Sequence, residues 1–121
     1  MNKNSNNKYD LEERTSVFSE SIIDLCKKWN KSDISRPIIN QLIRSATSIG
    51  ANYFEANGAS SKRDFKSKIH ICKKEARETH YWLRLMMKIT DNTGLINECK
   101  RLWQEAKELT LIFSKIVINT K

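Results

Sequence analysis

Apolar residues recur along this chain at steps of three and four, in four blocks divided by short polar stretches, the pattern of amphipathic helices. In the first block Leu11, Thr15, Phe18, Ile22, Leu25 and Trp29 share one face, and Asp10 with Glu13 forms a capping box at its start. This predicts a helix over about 11–29. The second block, about 36–57, opens near Ser35 and Pro37; the N–H that proline lacks would have no partner in a first turn. Its stripe is Ile39, Leu42, Ala46, Ile49, Tyr53 and Ala56, and Asn57-Gly58 is a helix stop. Gly50 interrupts it at about 1 kcal/mol relative to Ala, which suggests a close helix–helix approach. The third block, about 62–90, begins at a second capping box, Ser61 with Asp64. Phe65, Ile69, Cys72, Ala76, Thr79, Leu83 and Met86 line it, and Asp91-Asn92-Thr93-Gly94 is read as its terminator. The fourth, about 97–120, carries Cys99, Leu102, Ala106, Leu109, Phe113 and Ile116. Four such helices with short connectors pack best as antiparallel neighbours. The expected fold is all-α, an up-down-up-down four-helix bundle over residues 10–121, with residues 1–9 a disordered polar tail.

Composition narrows the class further. Three Gly and one Pro in 121 residues are too few for a turn-dense β fold, and a chain of this length supports one core. Cys26, Cys72 and Cys99 are odd in number and widely spaced. They form no disulfide framework and read as small apolar core residues in a reducing compartment. The Asn- and Lys-rich start is not a signal peptide, and no run reaches the ~20 apolar residues of a membrane span. The expectation is a cytoplasmic protein without a membrane partner.

Two segments are greasier than a lone bundle requires. Ile38, Ile43 and Phe54 lie beside or beyond the stripe of the second helix. Leu111, Ile112, Val117 and Ile118 flank that of the fourth. Apolar surface of this extent marks an interface, so these seven residues are the candidate contacts of a homo-oligomer.

Charge is also uneven. The net charge is +8, a balance that favours polyanionic partners. The third helix holds nine cations against Asp64, Glu75 and Glu78. Lys66, His70, Lys73, Arg77, His80, Arg84 and Lys88 follow one another at steps of three or four, and Lys62 and Arg63 extend the row. On a helix this is one continuous ridge, a surface suited to tracking phosphates without reading bases. The competing reading is a solvated face whose charges pair with Glu12, Glu20 or Asp24 on a neighbouring helix.

Catalytic chemistry is not evident. There is no Glu-x-x-His metal motif, Gly-rich phosphate loop or nucleophile elbow, so no catalytic residue, metal or cofactor is expected. Glu75 and Glu78 share a face with Ile71, Trp82, Leu85 and Ile89. Paired carboxylates there could do acid–base work, but a structural role is favoured, with Arg44, Lys74 or Asn52 as partners.

The run Gln41-Leu42-Ile43-Arg44-Ser45-Ala46-Thr47-Ser48-Ile49-Gly50-Ala51-Asn52, with Glu55 and Gly58, resembles the signature of the four-helix bundle proteins called rRNA intervening-sequence proteins. Ser61, Asp64-Phe65, Lys68, Lys74-Glu75-Ala76-Arg77-Glu78-Thr79 and Tyr81-Trp82-Leu83 continue the match. Arg44, Asn52, Glu55, Glu75 and Glu78 are the polar members assigned structural roles. The resemblance implies a bacterial cytoplasmic bundle and a ring-like homo-oligomer, commonly a pentamer. It extends to the accessory variability proteins of diversity-generating retroelements, basic pentamers that bind nucleic acid and a reverse transcriptase. The combined expectation is a non-enzymatic accessory protein that binds nucleic acid, RNA foremost, through its third helix. The alternative is a module that docks an acidic protein and no nucleic acid.

Overall fold

The structure, a computed structural model, describes residues 10–121; the predicted polar tail, 1–9, lies outside the described residues. Four helices account for it: α1 (Leu11–Lys27), α2 (Ser35–Asn57), α3 (Lys62–Lys88) and α4 (Thr93–Asn119). No strand occurs among the described residues.

Both expected capping boxes supply a helix start. The Asp10 carboxylate accepts from the Glu13 N–H at 3.1 Å, and the Ser61 hydroxyl accepts from the Asp64 N–H at 3.0 Å. Each satisfies a first-turn donor that no helical carbonyl can reach. The ends differ from the predicted bounds. Helix α1 stops at Lys27, two residues early, yet Trp29 is still buried in the core, so the apolar spacing outlasts the helix. The last turn of α3 closes at Lys88, with Ile89 as its cap.

The larger correction concerns α4, which begins four residues earlier than predicted. Asn92 is not a terminator; its side chain caps α4 by accepting from the Leu95 N–H at 3.0 Å. Thr93 and Gly94 lie inside the helix. A Cβ on Gly94 would stand 3.2 Å from the Asn92 Oδ1, so glycine leaves room for the cap.

Contacts across the seams establish the packing order. Ser45, Ile49 and Glu55 of α2 meet Thr79, Cys72 and Lys68 of α3, so one number falls as the other rises. Arg14 of α1 meets Glu105 of α4, and Lys28 meets Glu98, in the same antiparallel sense. Helix α1 packs on α2, α2 on α3, α3 on α4, and α4 returns to α1. Helix α3 is therefore diagonal to α1, the up-down-up-down arrangement. The core holds one residue per turn from each helix, with Ile22, Leu42, Ile49, Ile69, Leu83, Leu109 and Phe113 fully enclosed. All three cysteines are buried and free. Burial pushes their thiols up, Cys26 to about 11 and Cys72 and Cys99 to about 12.

Gly50 faces Thr15 of α1, but a Cβ there would meet the Thr15 side chain at 3.5 Å, an ordinary contact. Close packing of α1 on α2 therefore does not require glycine.

Candidate functional site

The cations of α3 run along the side of the bundle that borders α4. Lys62, Arg63, His70, Arg77, Arg84 and Lys88 are exposed; Lys66, Lys73 and His80 are half-buried. At 1.5 Å per residue the row from Lys62 to Lys88 spans about 39 Å. None of these cations forms an ion pair among the described residues. Glu12, Glu20 and Asp24, the carboxylates offered as neutralising partners, belong to the diagonal helix α1 and pair with none of them.

Several other acids are occupied elsewhere, while Asp64 and Asp91, near the two ends of the row, form no ion pair among the described residues. In α4, Glu98 takes Lys28 at 3.0 Å, and Glu105 and Glu108 take Arg14 at 2.7 and 3.1 Å. Glu55 accepts from Lys68 at 2.9 Å. Charge is thereby sorted across the molecule: acids close the seam between α1 and α4, and the α3 edge stays positive. Midway along that edge, His70, Lys73, Lys74, Arg77 and Glu78 line an open hollow of about 350 Å³.

His80 departs from the ridge. Its ring stacks on Trp103 of α4, with centroids 4.3 Å apart and planes at 26°. The His80 Nε2 and the Trp103 Nε1 are both buried without a hydrogen-bond partner. Burial, reinforced by Lys107, lowers the His80 pKa, so it contributes packing at neutral pH rather than charge. Lys107 is exposed and adds a cation from α4 to the same side.

Glu75 and Glu78 are tied to Arg44 across the α2–α3 seam. Glu75 is buried, and Arg44 reaches it at 3.4 Å while also pairing with Glu78. Glu78 in turn accepts from the Trp82 indole N–H at 3.0 Å. That indole bond, followed by Arg44, holds the Glu78 carboxyl below the usual range. Asn52 is not a partner; its amide donates to the Ser48 carbonyl of its own helix at 2.8 Å. No group of three or more metal-ligating side chains occurs among the described residues.

The seven interface candidates divide. Ile38, Ile43, Ile112 and Val117 pack against this chain's own core. Phe54, Leu111 and Ile118 remain 67%, 62% and 73% exposed. Phe54 and Ile118 lie near the C-terminal ends of α2 and α4, which the alternating topology brings to one end of the bundle.

The model of the family described as 23S rRNA-intervening sequence protein matches residues 7–115. The chain belongs to that family. A crystal structure of a family relative supports the same fold: a protein of unknown function from the S23 ribosomal protein family of Bacteroides thetaiotaomicron, 29% identical, superposes with a TM-score of 0.72 over 88% of this chain and 96% of the other. No curated protein matches the chain. No helix among the described residues is long and apolar enough to cross a membrane.

Within this family member, periodicity on α3 alone missed three residues of the cationic side. Lys107 comes from another helix and carried no local signal. Lys74, reserved as a carboxylate partner, forms no ion pair and is exposed beside the hollow. Tyr81, four residues after Arg77 and three before Arg84, is 52% exposed; its spacing could have placed it on the ridge.

Proposed function

We propose that this family member is a non-enzymatic accessory protein of the cytoplasm that binds RNA through the α3 edge. The observation that carries the reading is the unpaired row of cations from Lys62 to Lys88. Like charges one turn apart repel and destabilise a helix; a polyanion relieves that repulsion and releases its own counterions. The hollow at Lys73 and Arg77 offers a seat for a phosphate. Contacts of this kind position a strand without selecting its sequence.

The chain is also proposed to assemble with copies of itself, in a ring such as the pentamer its family resemblance implies. Phe54, Leu111 and Ile118 are its apolar contacts. Repetition of a weak cationic edge around a ring raises avidity.

The test is RNA binding by fluorescence anisotropy across a salt series. The logarithm of affinity should fall linearly with the logarithm of salt concentration. The triple variant K73E/R77E/R84E should lose binding while keeping its helical circular dichroism. Binding of RNA by that variant at wild-type affinity would exclude the edge. Absence of any salt-dependent RNA binding by the wild type would favour an acidic protein as the partner instead.

A further inference from the structure

Helix α3 exposes one large apolar side chain among the described residues. That residue is Tyr81, 52% exposed, and it lies within the cationic row. At 3.6 residues per turn it shares a face with His70, Lys74, Arg77, Arg84 and Lys88, all of them exposed. Isolated exposed aromatics are ordinary on protein surfaces. Their placement is informative here, because Arg77 and Arg84 lie one turn away and Lys74 and Lys88 two turns away on this face, with Glu78 and Leu85 on its α2 side.

The ring is also braced from behind. Tyr81 meets Trp82 edge-on, with centroids 5.2 Å apart at 68°. The Trp82 indole donates to Glu78 at 3.0 Å, and Glu78 pairs with Arg44 of α2. A chain of contacts thus runs from α2 through Glu78 and Trp82 to Tyr81. Bracing of this sort lowers the ordering cost of a partner that settles on the ring.

We infer that the α3 edge is built for unpaired rather than duplex RNA, with Tyr81 as a platform on which a single base stacks while the flanking cations hold its phosphates. This rests on the RNA-binding reading above and adds to it the strandedness of the ligand. Base–aromatic stacking needs a free π-face. A duplex buries its base faces against one another and presents phosphates, 2′-hydroxyls and base edges, so the π-face of Tyr81 finds no stacking partner along it. A single strand offers both its faces and its phosphates, and the stack tolerates any base.

The experiment compares a labelled oligouridylate with a blunt RNA duplex of equal length, by anisotropy at fixed low salt. Wild-type protein should bind the single strand more tightly. Tyr81→Ala should weaken single-strand binding by about 5- to 100-fold and leave duplex binding within about twofold. Tyr81→Phe, which keeps the π-face, should restore it. Alanine is the stronger helix former at an exposed site, so the fold survives the change. Equal affinity for the two probes, or wild-type single-strand binding by Tyr81→Ala, overturns the platform. In that case, loss of binding in K73E/R77E/R84E would leave the cationic edge standing. Failure of the wild type to bind either probe removes both readings together.

Discussion

At the scale of single residues, chemistry and position often diverged. His80 and His70 look equivalent in the row, yet one stacks under Trp103 and the other faces water. The distinction depends on α4, which no α3 spacing can report. His80 has a consequence for stability. Its folded pKa lies below the unfolded value near 6.5, so the unfolded chain binds the extra proton more readily. Stability is then fully present above about pH 6.5 and is lost as pH falls below it. The urea midpoint should decline across that window, well before Glu78, whose lowered pKa places its contribution below about pH 4.5. His80→Phe keeps the stack and should flatten that decline; an unchanged slope would assign it to another group. The cysteines give a second residue-scale prediction. With thiol pKa values of about 11 and 12 and no exposure to speak of, none should react with an aromatic disulfide at pH 8. All three should react in urea, as counted by released thiolate absorbance.

At the scale of helices, the local code was largely legible. Hydrophobic spacing and capping residues located α1, α2 and α3 within two residues, because periodic burial and first-turn donors are written in nearby positions. The start of α4 was not, since Asn92 suits a turn and a helix cap equally. The bond from the Leu95 N–H to the Asn92 side chain decided it. Gly50 is likewise ambiguous in sequence, since a small residue suits a close approach and an ordinary one alike. Because a Cβ there meets Thr15 at ordinary distance, Gly50→Ala should stabilise the bundle by up to about 1 kcal/mol and raise the melting temperature by about 4 °C. A lower melting temperature on calorimetry would mean the α1–α2 seam is tighter than these distances imply. The α2–α3 seam makes the opposite prediction. Arg44→Met strands the buried Glu75 carboxylate and should cost about 1–3 kcal/mol. Adding Glu75→Gln should recover part of that loss in urea titrations, because a neutral amide is cheaper to bury than an unpaired charge. Strict additivity of the two changes would show that Arg44 and Glu75 are not coupled.

At the scale of the whole molecule, the organising feature is the separation of charge between the α1–α4 seam and the outer edge of α3. Acidic groups close the α1–α4 seam, while the cationic row of α3 and the neighbouring Lys107 form no ion pair among the described residues. The greasy surface was reduced by folding: four of seven candidate contacts are half-buried against the subunit's own core, and Phe54, Leu111 and Ile118 remain exposed. Light scattering at micromolar concentration should therefore give a mass several times that of one chain, and Phe54→Lys combined with Ile118→Lys should reduce it to the monomer. A monomeric wild type would remove the self-assembly proposal. By itself the sequence determined the number of helices, the face each turns inward, two of their four N-terminal caps and the excess of cations on one of them. These follow from side-chain period and short-range hydrogen bonding, which act within a few turns. Only the tertiary structure decided which carboxylates are already spent, which histidine is covered and which apolar residues still meet water, because each depends on a neighbour tens of residues away brought alongside by packing.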